Sequence, residues 1–246
     1  MNREQISRLA HTDHPIKSPI DDESVTRLLQ HGLPRGNERV LDLGCGGGEW
    51  LLRALAAHPE LHAEGVDISE GDLATAREAS IRLGVQDRLE LHRQEAEGFS
   101  SPHAFDLVLC VGSTHALGGL LPTLAAARKY LAPGGRVLIG DGFWSGQPSP
   151  EAVEMMGEDV ADLSTTVDRI VADGWTPVHG HVSTRRELDD YEWACWGTLA
   201  GWALDHPADP DSSQALDWAT TRRSEWLSTY RDSWGFVSLV LRPTAN

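Results

Sequence analysis

The stretch Val40-Leu41-Asp42-Leu43-Gly44-Cys45-Gly46-Gly47-Gly48-Glu49-Trp50 decides the fold. A short apolar run, a cluster of glycines and the start of a helical pattern follow one another, which is a β-strand turning into a helix. Glycines let the backbone bend sharply and let a ligand touch the main chain, while the following helix presents unsatisfied N–H groups. Spacing then separates the candidate ligands. The dinucleotide fingerprint G-x-G-x-x-G requires glycine at position 49, where Glu49 stands, and a carboxylate there opposes a pyrophosphate. What is present instead is an acid two residues ahead of G-x-G-x-G: Asp42, Gly44, Gly46 and Gly48.

Outward from this turn, residues 38 to about 141 alternate short apolar runs with amphipathic stretches, the pattern of βαβ units and a parallel sheet. The runs are Arg39–Leu43, Leu61–Val66, Leu89–His92, Phe105–Val111 and Arg136–Gly140. Ser69 with an acid three residues on, apolar or small residues at 73, 76, 80 and 83, and a closing Gly84 predict a helix between the second and third. Another is expected from Leu120 to Leu131, closed by Ala132-Pro133-Gly134-Gly135. Gly142–Pro150 reads as a loop crossing the top of the sheet, followed by helices near Glu151–Gly157 and Leu163–Asp173. Trp175–Val182 and Gly235–Leu241 read as the last two strands. Six of the nine tryptophans lie between them, in a segment expected to form two helices split at His206-Pro207-Ala208-Asp209-Pro210-Asp211.

The Asp42 to Gly48 pattern resembles the first motif of the class I S-adenosylmethionine-dependent methyltransferases. The resemblance implies a Rossmann-like α/β fold. Its seven-stranded, mostly parallel sheet has order 3-2-1-4-5-7-6 with the last strand antiparallel, helices on both faces and here a helical insertion between the last two strands. It implies S-adenosylmethionine as cofactor, S-adenosylhomocysteine as product, and a pocket formed by Asp42 and the turn at Gly44, Cys45 and Gly46. Asp67, ending the run Ala63-Glu64-Gly65-Val66-Asp67, would bind both ribose hydroxyls, with Ile68 beside it. Glu95 and the Ala96 N–H would meet the adenine, and Val111 and Gly112 would end the fourth strand under the cofactor. Singly, an acid after a strand is more often a turn or loop residue. The conjunction in the family's order reverses that. Across nearly the whole chain, the Gly112-Ser113-Thr114-His115 loop, His14-Pro15-Ile16-Lys17-Ser18-Pro19 and Tyr191-Glu192-Trp193 resemble a branch of small bacterial enzymes of unsettled substrate.

Composition narrows the partners. A net charge of −16 with 21 scattered Lys and Arg disfavours nucleic acid, as does the lack of an Asn/Asp-Pro-Pro-aromatic motif after the fourth strand. No segment approaches the ~20 apolar residues of a membrane span, and no apolar run opens the chain, so a cytoplasmic protein is expected. Cys45, Cys110 and Cys195 lack the close spacing of a zinc site; reduced thiols without a structural task, and no metal, are expected.

A single methyltransferase domain over 1–246 is expected, with 1–37 a helical lid segment and 183–234 an insertion capping the acceptor side. The chain is expected to be a monomer or homodimer. Methyl transfer is an in-line displacement in which positive charge leaves sulfur, so alignment and exclusion of water dominate, and an acceptor that loses a proton needs a base. His115 is the first candidate base and acceptor contact, with Glu192 a second catalytic candidate. His14, Trp144, Tyr191 and Trp193 are candidate lining residues for a small-molecule acceptor; Trp218 and Trp226, at helical spacing, are expected in the core. A non-catalytic S-adenosylmethionine-binding module and a nicotinamide-dependent oxidoreductase are the competing readings.

Overall fold

In chain order, helices α1 (Arg3–Ala10) and α2 (Asp22–Gly32) precede β1 (Arg39–Leu43), α3 (Glu49–Ala57), β2 (His62–Asp67), α4 (Glu70–Leu83), β3 (Leu89–Arg93) and β4 (Phe105–Val111). Then come α5 (Leu120–Arg128), β5 (Leu131–Trp144), α6 (Pro150–Met156), α7 (Leu163–Ala172), β6 (Trp175–Val182), α8 (Arg185–Asp205), α9 (Ser212–Glu225) and β7 (Trp234–Pro243). The structure is a computed structural model and describes residues 1–244. Its strands form one sheet of order β3-β2-β1-β4-β5-β7-β6. The pairs β1–β2, β1–β4, β2–β3 and β4–β5 are parallel, and β6–β7 is antiparallel. This is the expected Rossmann-like methyltransferase order.

Contacts divide the chain into two compact units. One comprises Asp21–Asp141, Ser164–Val182 and Val237 onward; the other comprises Met1–Ile20, Gly142–Leu163 and Ser183–Phe236. In the first, Val40, Leu41 and Leu43 of β1 and Leu107, Val108 and Leu109 of β4 are buried, as central parallel strands covered on both faces require. Helix α4 starts where Ser69 accepts from the Asp72 amide and ends at Gly84 in the left-handed conformation.

The largest departures from the sequence reading lie at the two ends of β5. The preceding helix stops at Arg128, and Leu131 already pairs with Phe105, so Pro133-Gly134-Gly135 forms a bulge inside the strand rather than the turn before it. Gly134 has φ +80°, and a Cβ at Gly135 would sit 2.9 Å from the Ala132 carbonyl oxygen. At the other end, Gly142-Phe143-Trp144 continues the strand. The indole of Trp234 covers Gly142, and the Phe143 ring fills the space beside Gly235; such tertiary packing cannot be read from glycine content. The two expected insertion helices are α8 and α9, extended by a π-helical turn at Trp226–Tyr230. Trp226 is buried and Trp218 half-buried. At the sheet's far edge, Pro177 of β6 coincides with a register shift against β7.

Among the described residues no helix is long and apolar enough to cross a membrane.

Gly65 of β2 lets the chain pass under the glycine turn: a Cβ there would lie 2.8 Å from Cys45 Sγ, 2.9 Å from Leu91 and 3.0 Å from Leu51. The Cys45 thiol, buried and pushed well up by desolvation, therefore has a packing role against β2. Gly65→Ala is expected to lower unfolding free energy by about 1–3 kcal/mol in a urea titration.

Candidate functional site

The first unit gathers carboxylates around the turn after β1. Gly44, Gly46 and Gly48 adopt φ of +84°, +51° and +73°, angles at which a side chain is strained. The amides of Gly44 and Cys45 donate to the Val66 carbonyl at 2.9 and 3.0 Å, holding the turn against the end of β2. The Gly46 amide reaches Asp67 Oδ2 at 2.8 Å, and the Ser69 amide reaches Oδ1 at 2.9 Å. Asp67 is thus aimed at the glycine turn, with each oxygen retaining accepting capacity. Ser113 packs on Gly44, where a Cβ would meet its Oγ at 2.5 Å, and donates to the Leu43 carbonyl at 3.1 Å.

Asp42 is buried at 3% exposure. Desolvation, then the neighbouring Asp67 charge, raises its carboxyl from 3.8 to about 7. Both causes favour a cationic guest. Ile68 is 66% exposed, a large apolar side chain beside the Asp67 carboxylate. Glu95 is exposed and directly precedes the short helical turn Ala96–Gly98, without capping it through its side chain. Val111 ends β4, and Gly112, with φ +75°, donates to the Gly140 carbonyl at 2.9 Å. His115 is exposed on the turn Thr114–Leu117. That turn is fastened by the Thr114 hydroxyl, which donates to Asp141 Oδ2 at 3.0 Å.

The second unit holds the remaining candidates. Glu192 is buried and accepts from Arg222 with both oxygens, each at 2.8 Å. Desolvation raises its carboxyl above the usual range, opposed by Arg222. Arg222 also lies over the rings of Trp218 and Tyr191, at 5.3 and 5.8 Å from their centroids. Tyr191 hydrogen-bonds His11 Nε2 at 3.0 Å, and His11 Nδ1 meets the Ser7 carbonyl at 2.6 Å. A carbonyl only accepts, so Nδ1 carries the proton and Nε2 accepts from the tyrosine hydroxyl. Burial lowers His11 to about 4, which keeps this neutral tautomer at physiological pH. His14 packs edge-on against Tyr191 at 5.3 Å. Trp144 is buried against Trp234, and Trp193 is 55% exposed, edge-on to Trp196.

His11 and Arg222 are neighbours of the candidates Tyr191 and Glu192 that the sequence did not announce, since they lie 180 and 30 residues from them. Ser113 was legible only as one of several small residues after β4.

Residues 41–137 match the family model described as a methyltransferase domain. Over 249 residues, 98% of this chain and 100% of the other, the sequence is 26% identical to the uncharacterized protein YjhP of Escherichia coli. It is 32% identical over 156 residues to 27-O-demethylrifamycin SV methyltransferase of Amycolatopsis mediterranei, covering 61% of this chain and 56% of that one. Among solved structures, a SAM-dependent methyltransferase of Geobacter sulfurreducens in complex with S-adenosyl-L-homocysteine matches with TM-score 0.88 and 28% identity, over 97% and 98% of the two chains. The sheet order, the glycine turn and the methyltransferase match at 41–137 are those of the class I S-adenosylmethionine-dependent methyltransferases. The chain is similar over nearly its full length to YjhP.

Replacing Arg222 with methionine leaves the Glu192 carboxylate buried without its cation. A loss of about 3–5 kcal/mol in chemical denaturation is expected; pairing Arg222→Met with Glu192→Leu should recover much of it.

Proposed function

We propose that the chain transfers the methyl group of S-adenosylmethionine to a small-molecule acceptor by in-line displacement. The observation that carries the site assignment is the buried Asp42 beside Asp67, a pair of carboxylates whose mutual field a cation relieves. S-adenosylmethionine has an ammonium and a sulfonium and no phosphate, and it supplies a methyl group bonded to positively charged sulfur.

In this reading Asp42 holds the ammonium, and the main chain of Gly44, Cys45 and Gly46 lies against the methionine part. Asp67 accepts from the ribose hydroxyls through the lone pairs its two amide donors leave over. Ile68 offers apolar surface to the nucleoside, Glu95 and the Ala96 N–H meet the adenine edge, and Val111 and Gly112 support the cofactor from β4. His115 takes the acceptor's proton, as its exposure on the turn after β4 permits. Acceptor recognition is assigned to segment 1–37 and insertion 183–234, with Trp144. The reason is chemical: His14, Tyr191 and Trp193 present aromatic and imidazole surface that the cofactor does not require. Glu192, held by Arg222 through both oxygens, acts in this scheme by positioning Tyr191 and its helix. A small organic acceptor is supported by the similarity to 27-O-demethylrifamycin SV methyltransferase of Amycolatopsis mediterranei.

Two experiments test the proposal. Calorimetry with S-adenosylhomocysteine should show binding that strengthens as pH rises, by up to about tenfold per unit below 7 and levelling above, because a cationic guest requires Asp42 ionised. Without ligand the sign is opposite. The folded chain holds this proton more tightly than the unfolded chain, so Asp42's contribution to stability is lost as pH rises from about 4 through about 7. Asp42→Asn should flatten the binding profile, and Asp67→Ala should weaken binding by about tenfold or more.

A screen of small hydroxylated and amine acceptors, read by S-adenosylhomocysteine release, should then find turnover. His115→Ala should lower kcat, and Trp193→Ala should raise KM for the acceptor. Binding with no turnover on any acceptor would favour a non-catalytic module, and tighter binding of NADH than of S-adenosylhomocysteine would overturn the assignment.

A further inference from the structure

Strands β2 and β3 run in register with Glu64 beside Glu90 and Val66 beside His92. Period-two alternation therefore puts Glu64, Glu90 and His92 on one face at the sheet's edge. Their side chains converge. His92 Nε2 lies 3.3 Å from Glu64 Oε2 and 3.7 Å from Glu90 Oε1, and one ligand atom from each of the three falls within 4.8 Å of the others.

The pairing of these groups is incomplete. The Glu64 side chain is only 6% exposed, yet its Oε1 is buried without a hydrogen-bond partner, and so is His92 Nε2. Arg39 stands 3.7 Å from that Glu64 oxygen, beyond hydrogen-bonding distance, and supplies one positive charge against two carboxylates. A buried carboxylate so weakly compensated is costly. The His92 ring is packed against Phe99 with centroids 5.1 Å apart, which orients its nitrogen.

The spacing suggests what completes the cluster. A metal with bonds of about 2.0–2.1 Å in tetrahedral geometry has its ligand atoms about 3.3–3.4 Å apart. The 3.3 and 3.7 Å separations are close to that edge and longer than ordinary hydrogen bonds. One imidazole and two carboxylates form a borderline nitrogen and oxygen donor set of the kind zinc and its first-row neighbours accept.

We propose that Glu64, Glu90 and His92 bind a divalent transition-metal ion of the zinc type, with a fourth position left to water. The ion ties the edge strand β3 to β2. It takes no part in methyl transfer, so the site stands or falls independently of the proposed function.

Zinc chloride titrated calorimetrically into the full-length, chelator-stripped chain tests it. One zinc per chain is expected, with a raised Tm in the presence of zinc by mass action. His92→Gln and Glu64→Gln should each weaken uptake at least about tenfold and abolish the zinc-dependent Tm shift. Glu90→Gln is the safeguard against misfolding, since that side chain is 68% exposed, and it too should weaken uptake. His31→Ala should leave uptake unchanged, although the stacked imidazoles of His31 and His179 are a rival zinc donor pair. The proposal is overturned by no zinc binding to the wild-type chain, by binding unchanged in His92→Gln and Glu90→Gln, or by binding lost only in His31→Ala.

Discussion

The hydrogen bond from the Gly46 amide to the Asp67 carboxylate, 2.8 Å long, couples the turn after β1 to the end of β2, and the rest of the site follows from that coupling. It requires the main chain at Gly46 to approach a side chain from the neighbouring strand, which is possible because three glycines in seven residues take left-handed angles around it. The same approach brings Cys45 onto Gly65, and Asp42 lies buried within the field of Asp67. Close packing, buried charge and an accessible backbone are thus three results of one local geometry. A protein that needed only a tight turn here would have little reason to bury Asp42 within the field of Asp67.

Much of this was legible in the sequence because it is encoded locally. Strands β1, β4 and β6 begin and end where their apolar runs do, and Ser69 and Gly84 mark α4 through capping that acts within a few residues. The sheet order and the cofactor came from the motif resemblance instead. What failed to show was non-local. Pro133-Gly134-Gly135 carries the residues of a chain reversal, and only the pairing of Leu131 with Phe105 makes it a bulge. Gly142 belongs to a strand because Trp234 covers it. Likewise Glu192 gave no sign of Arg222, and the cluster of Glu64, Glu90 and His92 exists only once two strands lie side by side.

The two units differ in how they handle charge. The sheet unit concentrates negative groups at the end of β1 and β2, and the family match at 41–137 falls wholly within its residues. The other unit buries ion pairs and polar aromatics that satisfy one another, as in the Glu192 and Arg222 fork and the His11 and Tyr191 bond. Such self-satisfied contacts fix side-chain orientations rather than attract a charged guest. A cationic cofactor suits the first kind of surface, while the second holds its side-chain shapes still.

Pro177 has a consequence for the behaviour of the sheet in concentrated solution. It sits in β6, the terminal strand beside β7, where an uninterrupted row of amides would invite a strand from another molecule. The pyrrolidine removes one backbone donor from this edge strand, and the register is irregular next to it. Aggregation through this margin is thereby discouraged by backbone chemistry, whatever charges the surrounding side chains carry.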